Sequence, residues 1–377
     1  MKNILVTGGA GFIGSNLILK LTRIGYTVTV LDNLSKQIHG NNPELDSPLF
    51  QSIKDKVVFK NGSVTSREDW ESVIHNQDAI IHLAAETGTG QSMYCIEKYV
   101  EVNELGTAIM LDILTNKRHQ VKKVIIASSR SIYGEGKYMH PDHGIVYPNA
   151  RSNDDMLKGD FRVKIFDDKD LELLPTDEYS KIHPSSVYGI TKQNQEQLIL
   201  TVCSTIGIPA VSLRYQNVYG PGQSLSNPYT GILSIFSTQI RNGNDIQVFE
   251  DGNESRDFVF IDDVVDATIL ALEYENSGCE IFNVGSGIPT SVLQVASTLI
   301  KEYNSDTKIT ISGKFRLGDI RHNYACLEKI HKSLGFIPKV KFNEGINRFV
   351  TWVLSQKIES DMLSESLKEM AEKGLIK

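Results

Sequence analysis

The chain has 377 residues, 40% of them hydrophobic, with 39 Lys and Arg against 46 Asp and Glu and a formal net charge of −7. It is long enough to bury a large core in two lobes; its acidic balance, with no basic stripe, argues against nucleic-acid binding, and no apolar run reaches the roughly eighteen residues of a membrane span. Nothing precedes the first strand pattern, and Cys95, Cys203, Cys279 and Cys326 are scattered without C-x-x-C spacing, so the expectation is a cytoplasmic protein with free thiols, no signal peptide and no membrane anchor.

The first element is a short buried strand, Asn3 to Thr7, running into a glycine turn at Gly8, Gly11 and Gly14 and then a helix from Phe12 to about Ile24. Free amides at such a helix start, including those of Phe12 and Ile13, suit a pyrophosphate. Asp32 closes the next apolar strand, Thr27 to Leu31, eighteen residues after Gly14. An acid there accepts hydrogen bonds from a ribose 2′-hydroxyl and repels a 2′-phosphate, so the expected cofactor is NAD.

Farther on, the apolar strand Lys123 to Ile126 delivers Ser128 and Ser129 to a strand's C-terminal end, where open α/β sheets place their active sites. Tyr188 and Lys192 stand four apart on a helix that begins near Pro184 and Ser185, so they share a face. A phenol is a poor base at neutral pH unless a neighbouring cation stabilises the phenolate, and Ser129, Tyr188 and Lys192 together form a proton-handling set. Strand and helix patterns alternate from Asn3 to about Asn217, as a doubly wound parallel sheet requires. A smaller lobe is expected to take over at Gly220-Pro221-Gly222. The predicted division is 1–217 plus 258–287 for a Rossmann domain and 218–257 plus 288–377 for a smaller α/β substrate lobe. Met362, Leu363, Leu367 and Met370 at helical spacing predict a packed terminal helix.

With these motifs assembled, the chain resembles the extended short-chain dehydrogenase/reductase superfamily, and within it the nucleoside-diphosphate-sugar epimerases. The resemblance adds His82-Leu83-Ala84-Ala85, Asn103, Arg214-Tyr215-Gln216-Asn217-Val218-Tyr219-Gly220, Arg256-Asp257-Phe258 and Arg316-Leu317-Gly318-Asp319. It implies that Ser129 and Tyr188 hydrogen-bond the sugar hydroxyl being oxidised, that Lys192 holds the nicotinamide ribose, and that Arg256 and Arg316 hold a diphosphate, a task suited to the guanidinium fork. Asn33, Ser63, Val64, Leu83, Ala84, Ala85, Thr87, Asn103, Tyr215 and Val218 are the further expected cofactor contacts. Ser63 stands where many relatives have an acid, so it meets adenine only as a neutral partner. Gln91, Ser92, Arg130, Ser131, Asn217, Gln247, Phe249 and Asp319 are expected along the substrate. Arg130-Ser131-Ile132 leaves no carboxylate beside the serine pair, which disfavours dehydration and leaves reversible hydride transfer at C4, on a dTDP- or UDP-sugar, as the implied reaction. A CDP-sugar 2-epimerase and a 4-ketoreductase share the same architecture. The resemblance also implies a homodimer built on helices from about Ser92 to Asn116 and Ser186 to Ile206, with Ile109, Met110, Ile113 and Leu114 offered as apolar residues beyond the core stripe.

The irregular stretch is 135–186. It separates Ser129 from Tyr188 by fifty-nine positions, longer than similar proteins use, and is expected to act as a lid beside the active-site mouth. His140, His143, Asp167 and Asp170 mimic the paired spacing of a zinc ribbon, but carboxylates hold zinc less selectively than thiolates. No metal is therefore expected, and the loop should be held by ordinary packing.

Overall fold

The computed structural model describes residues 1–165, 169–229, 231–275 and 277–377. Alternation along the strands explains its layers. Ile4, Val6, Val28, Val30, Ala79 and Ile81 turn to one face of the sheet, against Leu17, Ile18 and Leu21 of helix Phe12–Arg23 and Val264 and Val265 of helix Ile261–Glu273. Leu5, Leu31, Ile80 and Ile126 turn to the other, against Trp70, Met110, Leu114, Ile199 and Cys203. Both faces are covered by helices, which is why these strands read as continuous apolar runs.

The sheet has seven strands in the spatial order Cys279–Val284, Ala210–Tyr215, Lys123–Ser129, Ala79–His82, Asn3–Thr7, Thr27–Asp32, Val58–Asn61. Every pairing is parallel. The order reverses between Asn3–Thr7 and Ala79–His82, the switch point at which such sheets bind ligands.

A second, mixed sheet is built from Asn217–Tyr219, Ser255–Phe260, Pro289–Ser291 and His322–Asn323. Beside it Ile246–Val248 pairs with Ile309–Ile311. The irregular stretch folds into a further sheet, in which Lys137–His140 pairs antiparallel with both Gly144–Val146 and Glu172–Leu174. Arg151 holds this unit to the second group of elements through a two-pronged ion pair with Glu250 at 2.6 and 2.8 Å. Glu135 accepts hydrogen bonds from the amides of Arg321 and His322 and from the Tyr138 hydroxyl. Strand pairing, one charge-matched clamp and one shared carboxylate thus fix a segment that had no obvious structure of its own.

The terminal helix forms at Leu363–Glu372 with Leu363 and Met370 buried and Met362 exposed. Beyond it the backbone pairs with Phe315 and Leu317: Phe315 N donates to Lys377 O, Lys377 N to Phe315 O, and Leu317 N to Leu375 O. The helix predicted from about Ser92 to Asn116 is broken into Ile96–Val100, a π-helical turn at Glu101–Leu105, and Gly106–Asn116. Among the described residues no helix is long and apolar enough to cross a membrane, and the four cysteines are unpaired with one another.

Candidate active site

At the switch point opens a cleft of about 1020 Å³. Its floor is the glycine turn. A Cβ on Gly14 would lie 2.4 Å from the carbonyl oxygen of Gly8, and Gly8 itself sits at φ +66° with no room beside Ala84, so backbone approaches here that only glycine permits. Helix Phe12–Arg23 starts on Gly11 without a side-chain cap, and Gly11, Phe12, Ile13 and Gly14 line the cleft. Asp32 ends its strand at the same place, its carboxylate accepting from the amides of Ala10 and Leu34 at 2.9 and 2.8 Å. Burial pushes its carboxyl upward while those amides pull it down. Asn33, Ser63, Val64, Leu83, Ala84, Ala85, Thr87, Tyr215 and Val218 also line this cleft. A close glycine floor, free amides of a helix start and a strand-end acid fit a dinucleotide carrying an unphosphorylated ribose.

The proton-handling set lies at the other end of the same cleft. Ser129 closes its strand, its hydroxyl accepts from the Ser131 hydroxyl at 2.8 Å, and it favours the ionised form of the neighbouring Tyr188. Helix Val187–Ile206 is capped by Ser186, whose oxygen accepts from Gly189 N. Burial raises the Tyr188 phenol above its ordinary value, opposed by Ser129 and by the guanidinium of Arg130. Lys192 is buried with its ammonium on the carbonyl of Ala127 at 2.9 Å, and burial lowers it to about 7. Beneath the set, Glu196 of the same helix grips Arg214 at 2.6 Å, and Arg214 donates on to Tyr133 and Glu178. The charged pair is buried and fully engaged, so it locks the helix to the sheet.

Arg130 donates its Nε to Asn217 at 3.0 Å. It and Ser131 line both the main cleft and a second, adjoining cavity. That cavity also holds Arg316 and Asp319. Arg316 stacks over Phe249 at 5.0 Å, and its buried Nε has no partner among the described residues. Burial alone would raise Asp319, but Arg256, Arg316 and Arg130 together hold it below the usual carboxylate range.

Several expected contacts turn out to act at one remove. Ser92 has no exposure and lines neither cavity; its oxygen accepts the amide of Tyr188 at 3.0 Å, fixing the start of the tyrosine helix. Gln91 bonds Gln37 and lies within 3.5 Å of the Tyr99 hydroxyl instead of facing a cavity. Asn103, fully buried in the π turn, exchanges hydrogen bonds with Glu86 N and O and donates to Thr191, so it shapes the cleft-lining loop without reaching the cleft. Arg256 spends both Nη nitrogens on Ser255 O, Arg321 O, Ile320 O and the Asp319 carboxylate, because those acceptors surround it. Gln247 lies in the strand Ile246–Val248, outside both cavities.

The insertion 135–186 lines a cavity, the second one, only through Ser185 and Ser186 among the described residues. Its His140 and His143 rings lie 4.6 Å apart, and the Asp142 and His143 amides donate to His140 Nδ1. Asp142 pairs with Lys169. Asp167 and Asp168 lie outside the described residues, and among the described ones no three His, Cys, Asp or Glu are grouped to hold a metal.

The sequence missed Tyr99, whose ring stands edge-on to Tyr188 at 6.4 Å and whose hydroxyl holds the carbonyls of Thr87 and Gly88. It also missed Met370 and Leu375, which line the second cavity from the C-terminal segment. No local signal marks either, since both depend on long-range packing.

A parallel sheet with a dinucleotide cleft and a Ser-Tyr-Lys set at its switch point defines a class of oxidoreductase-like enzymes. The chain belongs to the NAD dependent epimerase/dehydratase family, whose model matches residues 4–152 and 164–285, and it is an NAD-dependent enzyme. It is 37% identical to the dTDP-L-rhamnose 4-epimerase of Burkholderia thailandensis over 94% of this chain and 96% of that protein. It is 32% identical to a putative UDP-glucose 4-epimerase of Methanocaldococcus jannaschii, over 93% and 98% of the two chains. Among solved structures, UDP-glucose 4-epimerase from Thermotoga maritima with UDP-glucose matches with a TM-score of 0.75 at 31% identity, covering 93% of this chain and 98% of that one. UDP-glucuronic acid 4-epimerase from Bacillus cereus, in complex with UDP-glucuronic acid and NAD, matches with a TM-score of 0.73 at 25% identity, covering 93% and 99%.

Proposed function

We propose that the chain inverts C4 of a nucleoside-diphosphate sugar, with a dTDP-linked 6-deoxyhexose of the L-rhamnose type as the preferred substrate and UDP-hexoses as the next candidates. The observation that carries the reading is Ser129, Tyr188 and Lys192 meeting at one end of a dinucleotide cleft, with Arg130 and Ser131 where an eliminating enzyme needs carboxylates. Relatives named as dTDP-L-rhamnose and UDP-glucose 4-epimerases support it.

In this reading Tyr188 takes the proton of the C4 hydroxyl, with Ser129 holding that oxygen by a second hydrogen bond. NAD supplies the reversible hydride acceptor. Lys192 holds the nicotinamide ribose and, with Arg130, favours the phenolate. Arg316 takes the diphosphate, and Arg256 acts behind it by orienting Asp319. Once the 4-keto sugar has turned about its anchored diphosphate, it offers the opposite face of C4 for the return of the hydride, and Tyr188 gives the proton back to the C4 oxygen. The division into 1–217 plus 258–287 and 218–257 plus 288–377 is part of the proposal, with the substrate bridging the two lobes. Unpaired thiols fit a cytoplasmic setting.

A homodimer is part of the proposal, on different residues from those first considered. Met110, Ile113 and Leu114 are core residues, whereas Ile96, Val100, Leu105 and Ile190 of the same two helical segments are exposed and offer an apolar face of the kind that pairs.

The test is incubation with dTDP-, UDP- and CDP-sugars, read by NMR for inversion at C4 or C2. Inversion at C4 without added reductant is expected, and Tyr188→Phe should lower turnover about 10²- to 10⁴-fold while retaining NAD. Inversion only at C2, or a requirement for added NADPH, would transfer the assignment to the 2-epimerase or the ketoreductase.

A further inference from the structure

The second cavity is closed by a part of the chain that the catalytic motifs do not reach. Met370, from helix Leu363–Glu372, and Leu375, from the stretch paired with Phe315 and Leu317, supply its apolar side, with Met93 and Leu317 next to them. Arg130 and Ser131 enter from the catalytic turn opposite. The segment is held at three places. Its backbone pairs across Arg316, with Ile376 bridging that residue. Glu369 accepts from the hydroxyls of Tyr94 and Tyr229 at 3.1 and 2.8 Å, and these hydroxyls are 2.6 Å apart. Lys373 lies over the Tyr94 ring at 4.9 Å. The fit is close: a Cβ on Gly90 would come within 3.1 Å of the Met370 sulfur.

We propose that residues 363–377 are part of the substrate site, and that Met370 and Leu375 form the wall receiving the methyl group of a 6-deoxyhexose carried on a nucleoside diphosphate. The proposal rests on the 4-epimerase reading, which puts the sugar's reacting carbon at Ser129 and Tyr188, one residue from the cavity's own Arg130 and Ser131. A methyl group gains by burial against a thioether and a leucine, whereas a hydroxymethyl loses that gain or must turn its hydroxyl away from this wall toward the polar side at Arg130 and Ser131. An apolar wall cannot reject an added hydroxyl strongly, so the preference has a ceiling of about 100-fold.

The experiment compares UDP-6-deoxyglucose with UDP-glucose, which share a nucleotide and differ by one hydroxyl, in kcat/KM and in calorimetric affinity. The intact protein should favour the deoxy sugar by about 10- to 100-fold. Met370→Gln and, separately, Leu375→Gln should bring the ratio to within about threefold by raising KM for the deoxy sugar, with NAD content unchanged. A chain ending at Asp361 should bind both sugars weakly while still binding NAD. An unchanged ratio in both Gln variants, or an unchanged KM in the shortened chain, would overturn the proposal. Calorimetry keeps the two readings apart: if neither sugar is turned over, the 4-epimerase reading fails, and the wall stands or falls on the affinity ratio alone.

Discussion

The insertion that begins at Glu135 and the C-terminal segment from Trp352 onward both lie against the second group of elements, yet they do opposite work. The insertion buries a charge-matched clamp, Arg151 on Glu250, with side chains only 3% and 5% exposed, and lines neither cavity until its last residues, Ser185 and Ser186. The C-terminal segment is anchored by backbone pairing and a tyrosine-bound carboxylate, and it contributes Trp352, Gln356, Lys357 and Glu359 to the main cleft and Met370 and Leu375 to the second cavity. The insertion is adjacent in sequence to the catalytic serine and tyrosine; the segment lies more than 160 residues beyond them. What brings a segment to a ligand is therefore where its own long-range contacts seat it.

The contrast is easiest to break at its strongest point. Arg151→Ala leaves Glu250 buried with Arg321 at 3.0 Å as its remaining partner, so a loss of about 3 kcal/mol is expected, the lower end for a broken buried pair. Thermal melts should fall by about 4 °C, with KM for the nucleotide sugar unchanged in the folded enzyme. A raised KM with an unchanged melt would make the insertion a ligand-facing element after all.

A smaller effect comes from Lys192, which touches neither region and so serves as a common reference. Its ordinary value is 10.5 and burial lowers it to about 7. Between those values the unfolded chain binds a proton that the folded chain gives up, so stability should rise as pH climbs from 7 toward 10.5, by at most about 1.4 kcal/mol per unit. Lys192→Met should flatten that slope in NAD-free protein, while Arg151→Ala and the chain ending at Asp361 should keep it. Loss of the slope in either of those would mean that the region concerned reaches the catalytic helix.

The mildest test is Glu369→Gln. The hydroxyls of Tyr94 and Tyr229 exchange a charged acceptor for a neutral one, a loss of about 0.5–1.5 kcal/mol, and the expected result is a KM raised a few-fold with an unchanged melt. A change in melting temperature without a change in KM would reduce the C-terminal segment to packing.

The parts of the site legible in the sequence are those whose chemistry is local. Gly8, Gly11, Gly14 and Asp32 announce a dinucleotide because the turn, the helix start and the strand-end acid are neighbours in the chain. Tyr188 and Lys192 announce themselves by helical spacing, and Ser129 by following a strand. The residues misread as direct contacts, Ser92, Asn103 and Arg256, are polar groups in the right neighbourhood whose bonding was already taken by backbone, and spacing carries no information about that. The wall formed by Met370 and Leu375 was illegible for another reason: an apolar pair near the end of the sequence reads the same whether it covers core or ligand.

The π turn at Glu101–Leu105 works as a phase shifter. One additional residue in a turn rotates everything after it by about 100° relative to everything before. Ile96 and Val100 therefore look outward, while Met110, Ile113 and Leu114, four helical turns on, look into the core, and Asn103 is aimed at Glu86 and Thr191 from the point of rotation. Deleting a single residue between 101 and 105 would let the turn close to ordinary helical pitch with both flanking faces still pointing as they do, so the loss would fall on the bulge itself and on the aim of Asn103 at Glu86 and Thr191.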